Sequence, residues 1–390
     1  MEQRTTVSIL FALLRCAIDG GKLTERELAQ FDSLEVRELL NLAAEQDVLH
    51  LVALGMQENG LMPQARSEMK KHILNAAFRY EKGEFALKNV SKSLEIAGIP
   101  FLPLKGAVLR NYYPHGWMRT SCDIDILVHT EDLERAVSSL TDTLGYTLKD
   151  RTTHDVLLYS PEGVGVELHF DLVEEGRAND AIEVLQRVWE NAAPRENSRF
   201  CYEMSDAFFY YYHIAHMAKH FENGGCGIRP FMDLWILDHM ENADTSARDM
   251  LLAKGRLLQF TEACRGLSRV WFGTEAPDEV ALQMEAFLLQ GGLYGSADNR
   301  VAIGQKKKGG RLGYLLSRIF APYEKLKRYY PVLQKHPYLL PVMQLRRWFM
   351  LLRPSVAKMA KSEIAANNSL DKEKAEQMQA FLARLGLDEK

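Results

Sequence analysis

Two aspartates in the middle of the chain have the spacing that a divalent cation needs. Asp123 and Asp125 alternate with isoleucines in residues 122–128, whose sequence is CDIDILV. Every second side chain of a β-strand points to the same side, so both carboxylates should leave one face while the isoleucines occupy the other. Like charges this close repel unless a cation lies between them, and carboxylate oxygens suit Mg²⁺ that also carries substrate phosphates. The pair therefore predicts a metal-binding site.

A second run, 164–171 (VGVELHFD), follows the same rule. Its valines, leucine and phenylalanine share one face, and its polar residues, Glu167 and His169 among them, share the other. If this strand lies beside the first, Glu167 joins Asp123 and Asp125 in a cluster of three carboxylates. Such a cluster can hold the two metal ions of an in-line displacement at phosphorus. The adjacency of the two strands is an assumption at this point.

Residues just upstream of the aspartates have the chemistry of phosphate binding. Lys105-Gly106 lies between a candidate strand and a candidate helix, where glycine lets backbone N–H groups approach an anion and the lysine adds a point charge. Arg119 is expected to contact a triphosphate, because a guanidinium matches phosphate geometry. Ser121 adds a hydroxyl donor. The alternative interpretation of the acidic run is a solvated strand face, since alternating acidic and aliphatic residues are common on half-buried strands.

Hydrophobic periodicity predicts a small sheet between two helical regions. Residues 1–97 have helical spacing, residues 98–200 mix strands and helices, and residues 201–390 return to helical spacing. The predicted strands are Pro100–Leu104, Asp123–Val128, Tyr146–Leu148, Val156–Tyr159 and Val164–Phe170, and the predicted helices between them are Ala107–Tyr113 and Glu131–Leu144. Pro161-Glu162-Gly163 has the chemistry of a hairpin turn. The fold class is therefore α+β, with a small mixed sheet flanked by N- and C-terminal helical regions.

Composition bounds the class of protein more than its function. The formal net charge of −4 gives no overall argument for binding nucleic acid or an acidic membrane. The five cysteines are scattered, without C-x-x-C spacing, which favours a reduced cytoplasmic interior. Val7–Leu14 is apolar but is cut short by Arg15, and no stretch reaches the length of a membrane span. We expect a cytoplasmic protein without a transmembrane segment.

The order of these motifs resembles a bacterial family usually called uncharacterised nucleotidyltransferases, within the DNA-polymerase-β-like superfamily. The resemblance rests on Leu104-Lys105-Gly106-Ala107-Val108-Leu109, Tyr113-Pro114, Arg119-x-Ser121-x-Asp123-Ile124-Asp125-Ile126-Leu127-Val128 and Val166-Glu167-Leu168-His169. It implies a polymerase-β-like palm at 98–200, in which Asp123 and Asp125 hold Mg²⁺ and a nucleoside triphosphate. Glu167 would fill the position of the third carboxylate. Mn²⁺ is the alternative ion, and His169 is expected to contact substrate.

A second block of the resemblance lies further along the chain. His213, His216 and His220 stand at i, i+3 and i+7 on one helical face, followed by Arg229 and Asp233 at i and i+4. The histidines could bind a metal, but the neighbouring tyrosines favour a packing face, with His220 at the border of the substrate cleft. Arg229 and Asp233 are expected to form a buried pair that orients the C-terminal domain against the palm.

The segment 306–361 is strongly basic. Its acidic residue is Glu324, against Lys306, Lys307, Lys308, Arg311, Arg318, Lys325, Lys327, Arg328, Lys335, Arg346, Arg347, Arg353, Lys358 and Lys361. With interleaved tyrosine, tryptophan and phenylalanine, it suits a polyanion such as RNA or an anionic membrane surface. The alternative is a solvated helical face that balances acidic regions elsewhere.

Together these patterns predict a Mg²⁺-dependent transfer of a nucleoside monophosphate from a nucleoside triphosphate to a hydroxyl acceptor, with release of pyrophosphate. One ion would bridge Asp123, Asp125 and the triphosphate, and a second near Glu167 would lower the pKa of the acceptor hydroxyl. The acceptor could be a sugar or polysaccharide precursor, a small molecule, a protein or RNA, because the fold does not choose among them. The alternatives are an inactive nucleotide-binding or interaction protein on the same fold and a metal-dependent phosphodiesterase.

Overall fold

The computed structural model of this protein describes residues 2–173, 180–291, 297–323, 326–327, 330, 332–350, 361, 363–365, 367–368 and 372–387. The strands are β1 (Phe101–Pro103), β2 (Asp123–Val128), β3 (Thr147–Arg151), β4 (Asp155–Tyr159), β5 (Gly165–His169), β6 (Ala192–Pro194) and β7 (Tyr202–Met204). The first helices are α1 (Glu2–Asp19), α2 (Glu25–Asp32), α3 (Val36–Glu45), α4 (Leu49–Glu58), α5 (Arg66–Ile96), α6 (Lys105–Leu109), α7 (Leu133–Ser138) and α8 (Asp180–Leu185). They are followed by α9 (Asp206–Phe221), α10 (Arg229–Asp238), α11 (Thr245–Lys254), α12 (Leu258–Phe272), α13 (Glu279–Leu289), α14 (Ala297–Lys307), α15 (Arg311–Ile319), α16 (Val332–Lys335), α17 (Leu340–Met350) and α18 (Lys372–Arg384).

Five of these strands form a mixed sheet in the order β1-β2-β5-β4-β3. β2 lies parallel to β5, although β3 and β4 separate the two in the sequence. The other pairings, β1 with β2, β4 with β5 and β3 with β4, are antiparallel. The α+β fold with a small mixed sheet between helices is confirmed.

The turn between β4 and β5 has the predicted hairpin chemistry. Gly163 has a φ of +79°, which glycine adopts at little cost because it lacks a Cβ atom. The backbone N–H of Ser160 donates to the carbonyl oxygen of Val164 at 2.8 Å and closes the hairpin. This turn fixes which residues of β5 lie opposite β4, and therefore which face of the sheet each of them occupies.

One face of the sheet is packed against helices. The isoleucines of β2 lie in one apolar cluster with residues of β4, β5 and the helices. That cluster includes Ile124, Ile126, Val128, Val156, Leu158, Val166, Leu168, Ala86, Val90, Leu94, Ala136, Val137 and Leu140. Each fully buried aliphatic side chain of this kind contributes about 1.5–3 kcal/mol. The burial fixes the register of the strands, so the opposite face can carry polar side chains in defined positions.

The N-terminal helices pack closely around α1. Gly55 of α4 lies so near α1 that a Cβ atom there would come within 2.5 Å of the carbonyl oxygen of Leu13. A larger residue would therefore push the two helices apart. Helix α2 begins with a capping box, in which the Thr24 hydroxyl and the Glu27 carboxylate each accept from the other residue's backbone N–H.

The chain is divided into two compact units. The first comprises Met1–Ala215 and Ile228–Ala281, and the second comprises His216–Gly227 and Leu282–Lys390. In the second unit, the ring of Phe221 stacks on Phe287 at 5.3 Å, and the Asn299 side chain donates to the carbonyl oxygen of Gly224 at 3.3 Å. Residues 216–227 therefore belong to the core of a unit whose remaining residues begin only at Leu282.

The element bounds differ from the predicted ones mainly where helices change type. The predicted helix Ala107–Tyr113 begins earlier, at Lys105, and tightens to a 3₁₀ turn at Arg110–Tyr112. The predicted helix Glu131–Leu144 consists of a 3₁₀ turn at Thr130–Asp132, α7 and a π turn at Ser139–Thr143. The small β6–β7 hairpin was not predicted. The division into domains 1–97, 98–200 and 201–390 remains a proposal.

Within the described part of the chain, no helix has both the length and the apolar character required to cross a bilayer. Parts of the predicted basic segment 306–361 lie outside the described residues. They include the positions of Lys325, Arg328, Arg353 and Lys358.

Candidate active site

The two strands that carry the acidic residues, β2 and β5, are neighbours in the sheet. Their adjacency was an assumption in the sequence analysis. β2 and β5 run parallel, with Asp125 directly opposite Glu167 and Asp123 opposite Gly165. Because side chains alternate along both strands, Asp123, Asp125 and Glu167 lie on the face opposite the apolar cluster. Gly165 has no side chain to compete for the space beside Asp123. The three carboxylates therefore share one patch of the sheet.

Two basic side chains contact the inner aspartate. The imidazole Nε2 of His169 lies 2.8 Å from Oδ1 of Asp125 and 3.4 Å from Oε2 of Glu167. The ammonium Nζ of Lys105 lies 3.3 Å from the same Oδ1 atom. Asp125 and His169 are buried, whereas Asp123 and Glu167 are half-buried. The cluster thus has an inner, hydrogen-bonded end and an outer end that solvent reaches.

The neighbouring charges shift the pKa values of the two aspartates in opposite directions. Burial, together with repulsion from Asp125 and Glu167, raises the pKa of Asp123 to about 6. Burial acts in the same direction on Asp125, but Lys105 and His169 outweigh it and hold its pKa below the usual range. Burial lowers the pKa of His169, yet its hydrogen bonds to Asp125 and Glu167 raise it to about 8. The patch therefore sets three carboxylates against two basic side chains, Lys105 and His169, so its negative charge is largely but not fully balanced.

The donor set of the cluster fits a divalent cation. One ligand atom each from Asp125, Glu167 and His169 lies within 4.8 Å of the others. Carboxylate oxygens are the ligands that Mg²⁺ prefers, and an imidazole nitrogen beside them is also accepted by Mn²⁺. Asp123 stands two residues before Asp125 on the same face of β2. An ion placed against this patch would relieve the repulsion that raises the pKa of Asp123.

The Lys105-Gly106 turn is built tightly against the segment that precedes Asp123. Lys105 has a φ of +38°, an unusual backbone conformation for a residue with a side chain. The backbone N–H of Leu104 donates to the carbonyl oxygen of Asp125 at 2.9 Å, which fixes this turn to β2. A Cβ atom at Gly106 would come within 3.1 Å of the Cβ atom of Ser121. The glycine therefore allows close packing between the two segments, since a larger residue would crowd the Ser121 side chain.

Arg110 links the same two segments, and no pattern in the sequence pointed to this role. Its Nε donates to the carbonyl oxygen of Gly106, and its Nη2 donates to the hydroxyl oxygen of Ser121, both at 2.8 Å. Its Nη1 donates to Glu84 of α5 at 2.8 Å. One buried guanidinium thus fixes the Lys105-Gly106 turn and Ser121 relative to each other and to α5.

The match to a known family covers the residues just described. The model of a family described as uncharacterised nucleotidyltransferase matches residues 32–273, more than half of the chain. The chain belongs to that family. The resemblance inferred from the sequence is therefore confirmed. No curated protein matches the chain.

The family membership supports a transferase activity of the chain in general. Members of the nucleotidyltransferase family are transferases that take a nucleoside triphosphate, and nucleotidyltransferases generally use divalent metals. The matched range contains every strand of the five-stranded sheet and all three carboxylates. The acidic patch therefore lies inside the part of the chain that matches the family.

Arg119 pairs with Asp233 and not with the carboxylates of the acidic patch. Its Nε and Nη2 donate to the two carboxylate oxygens of Asp233 at 2.7 and 2.8 Å, and the Tyr113 hydroxyl donates to the same carboxylate at 2.7 Å. The Asp233 side chain is 0% exposed. The predicted contact between Arg119 and a triphosphate remains a proposal, and it would require this buried ion pair to open.

The predicted Arg229–Asp233 pair was wrong. Asp233 is occupied by Arg119 and Tyr113, so its carboxylate is satisfied by residues of the first unit. Arg229 donates instead to the backbone carbonyl oxygen of Thr120 at 2.7 Å and lies 3.1 Å from Asp47. Spacing at i and i+4 permits a contact between two side chains of one helix, but both of these side chains pair with residues outside that helix.

The three histidines of α9 have different surroundings. His213 is buried, and its Nε2 lies 2.9 Å from the carbonyl oxygen of Pro230, as expected of a packing residue. The Nε2 atoms of His216 and His220 lie 3.3 Å apart. These two residues belong to the second unit, whereas His213 belongs to the first. A contact between His220 and substrate stays a prediction.

A tyrosine of α9 also acts on the acidic patch and was missed. The Tyr212 side chain is buried, and burial raises its pKa, with further effects of Lys105, Asp125 and Glu167. Its hydroxyl is therefore electrostatically part of the patch. In the sequence, Tyr212 is one of three consecutive tyrosines, and nothing distinguishes it from its neighbours.

Proposed function

We propose that the protein transfers a nucleoside monophosphate from a nucleoside triphosphate to a hydroxyl acceptor in a reaction that depends on Mg²⁺, with Mn²⁺ as a substitute. The observation that carries the proposal is the pairing of Asp125 with Glu167 on adjacent strands, with Asp123 on the same face. In the reaction, the acceptor oxygen forms a bond to the α-phosphorus while the bond to the β-phosphate breaks. The products are a nucleotidylated acceptor and pyrophosphate.

Asp123, Asp125 and Glu167 are the residues that would hold the metal. When bound, the ion would neutralise the charge of the triphosphate and of the leaving pyrophosphate. The hydrogen bond from His169 fixes the orientation of the Asp125 carboxylate, so that its second oxygen faces a defined direction. While its Nε2 stays hydrogen-bonded to Asp125, His169 is proposed to contact the bound substrate.

Lys105 is proposed to bind phosphate after leaving Asp125. Its ammonium is paired with Asp125 at 3.3 Å, and its pKa is raised because Asp125, Asp123 and Glu167 outweigh the effect of burial. A cation that shares Asp125 would weaken this pair and let the ammonium turn to the triphosphate. Gly106 and Ser121 lie against each other at this turn and would offer a backbone N–H and a hydroxyl to the same phosphates.

The acceptor is proposed as a hydroxyl of a sugar or polysaccharide precursor, a small molecule, a protein or RNA. The experiment that tests the function incubates the full-length protein with each nucleoside triphosphate, labelled at the α-phosphate, together with Mg²⁺ and a cell extract. We expect label to enter one class of acceptor and pyrophosphate to be released. Omission of the divalent cation should abolish both signals.

Two substitutions separate catalysis from a general loss of structure. Asp125→Asn should remove transfer, whereas Asp150→Asn, on the exposed edge strand β3, should retain it. Normal transfer by the Asp125→Asn protein would refute the assignment. Binding of ATP with Mg²⁺ but without release of pyrophosphate would indicate the inactive alternative. Hydrolysis of a phosphodiester without any triphosphate would indicate the phosphodiesterase.

A further inference from the structure

Two helices of the second unit present apolar side chains to solvent. On α15, Leu312, Leu316 and Ile319 stand at i, i+4 and i+7 and are exposed, Leu312 by 69%. The next residue, Phe320, is also exposed. Spacing of this kind places all three aliphatic side chains of α15 on one face of the helix. The face is therefore continuous along the helix, unlike a set of scattered apolar residues.

Helix α17 has an equivalent face. Val342, Leu345 and Phe349 stand at i, i+3 and i+7 and are exposed, Phe349 by 71%. We call the exposed residues of the two helices the α15–α17 surface; its members are Leu312, Leu316, Ile319, Phe320, Val342, Leu345 and Phe349. Large exposed apolar patches on a soluble protein generally mark a site of contact with another molecule.

The two helices are joined where α15 ends. The Arg347 guanidinium donates to the carbonyl oxygens of Ile319 and Arg318 at 3.0 and 2.7 Å. The Trp348 indole donates to the carbonyl oxygen of Ile319 at 2.9 Å, and its ring packs edge-on against Phe320. These bonds cap the C-terminal end of α15 with side chains of α17. Both apolar faces therefore belong to one connected structure.

Basic side chains surround the α15–α17 surface in sequence and are exposed to solvent. They include Lys308, Arg311, Lys335, Arg346 and Lys361. Arg318 is paired with Glu363, and the sequence of residues 306–361 contains the single acidic residue Glu324. A partner with negative charge is therefore favoured, and the apolar side chains require that the same partner also accept aliphatic groups.

These requirements select one partner. RNA would be bound through stacked aromatic rings and hydrogen bonds to bases, but five of the seven side chains on this surface are aliphatic. A second copy of the chain would bring two basic surfaces together, which is unfavourable. An anionic phospholipid bilayer accepts aliphatic and phenylalanine side chains below its headgroups and pairs its phosphates with lysine and arginine. We propose that the α15–α17 surface docks on an anionic phospholipid bilayer.

Vesicle flotation of the full-length protein tests the proposal. We expect binding to vesicles of phosphatidylcholine with about 30% phosphatidylglycerol and about tenfold weaker binding to pure phosphatidylcholine. Binding should fall at about 0.5 M salt, because salt screens the charge attraction. The double substitution Leu316→Gln with Phe349→Gln should reduce binding about tenfold or more, since two inserted apolar side chains are lost. The double substitution Lys308→Gln with Lys335→Gln should also weaken vesicle binding, and the loss should be larger at low salt than at high salt.

A matched control lies on a different surface. Phe78 of α5 is 70% exposed, close to the exposure of Phe349, and Lys88 lies on the same helix. Phe78→Gln with Lys88→Gln should leave vesicle binding unchanged. Equal binding to neutral vesicles, or equal loss in the control, would overturn the proposal. It would also be overturned if Leu316→Gln with Phe349→Gln converted a dimer to a monomer in sedimentation, or abolished RNA binding, without any vesicle binding by the unsubstituted protein.

Discussion

At the scale of single residues, the least favourable electrostatic feature of the site is the negative charge on Asp123. Lys105 and His169 stabilise the ionised form of Asp125, but burial and two neighbouring carboxylates disfavour ionisation of Asp123. The pKa of Asp123 rises from 3.8 to about 6, so its ionisation costs free energy in the folded state that it does not cost in the unfolded chain. This cost is absent below pH 3.8 and complete above pH 6.

Asp123→Asn should therefore stabilise the metal-free protein at neutral pH. We expect the free energy of unfolding to rise by about 1–3 kcal/mol at pH 7.5 and by roughly half as much at pH 5, where the Asp123 carboxyl of the folded native protein is mostly protonated. Urea unfolding in the presence of a chelator measures the difference. If the proposed metal site holds, addition of Mg²⁺ should reverse the order, because the native protein would gain stability from the bound ion and the variant would not. A variant that is less stable than the native protein without metal would contradict this account.

Arg110 provides a test of positioning by a residue outside the carboxylates. Arg110→Lys keeps a charge near Glu84 but cannot reach both the Gly106 carbonyl and the Ser121 hydroxyl. If the proposed function holds, turnover should fall about 10- to 100-fold because the phosphate-binding turn is displaced. Steady-state kinetics at a temperature well below the Tm of the variant measures this. Glu84→Gln is the control, and it should keep activity within about twofold.

At the scale of elements, α10 fixes the segment before β2 through Asp233. Arg119 and Asp233 are 114 positions apart in the sequence and form a two-bond ion pair, to which Tyr113 adds a hydroxyl. Removal of one partner leaves an uncompensated buried charge, which generally costs more than the pair itself contributes. The Arg119–Asp233 ion pair therefore fixes the segment that precedes Asp123, because breaking the pair would leave a buried charge without a partner.

Asp233→Asn should lower the free energy of unfolding by about 3–5 kcal/mol, because the Arg119 guanidinium loses its charged partner. Urea unfolding of the variant provides the measurement. The double variant Arg119→Met with Asp233→Leu should recover most of this loss, since no buried charge remains. If the single and double variants were equally destabilised, the effect would come from packing and not from the unpaired charge.

Sequence periodicity predicted the elements of the site better than their contacts. β2 has the predicted bounds because alternation of aspartate and isoleucine fits a strand with one buried face. The pairing of β2 with β5 could only be assumed, because β3 and β4 lie between them and order within a sheet is set by packing of the whole core. The role of Arg110 and the partner of Asp233 could not be found, since a buried arginine or aspartate has no local pattern that identifies its distant partner. The prediction for Arg229 failed for the same reason.

At the scale of the whole molecule, the two units divide the chain in an unusual way. Residues 216–227 belong to the second unit, although residues on both sides of them belong to the first. Phe221 stacks on Phe287, and Phe287 also packs against Phe381 at 5.2 Å. The second unit is therefore completed by residues 216–227, which lie in the sequence between the two parts of the first unit.

A chain that ends at residue 281 should retain the five-stranded sheet but lose the structure of 216–227. The reason is that Phe221 and the carbonyl oxygen of Gly224 lose Phe287 and Asn299 as partners. Hydrogen exchange of the truncated protein should be fast in 216–227 and slow in β2 and β5. Protection of 216–227 equal to that in the full-length protein would show that this segment is held by the first unit instead.

This discontinuity bears on how relatives diverge. The family match spans 32–273 and so includes Phe221 and Gly224, but it stops before Phe287 and Asn299, which contact them. The matched range thus ends before the residues that complete the contacts of 221–224. Because the ring of Phe221 stacks on Phe287, a change of size at either position leaves the other without its partner, and we expect residues 221 and 287 to change together.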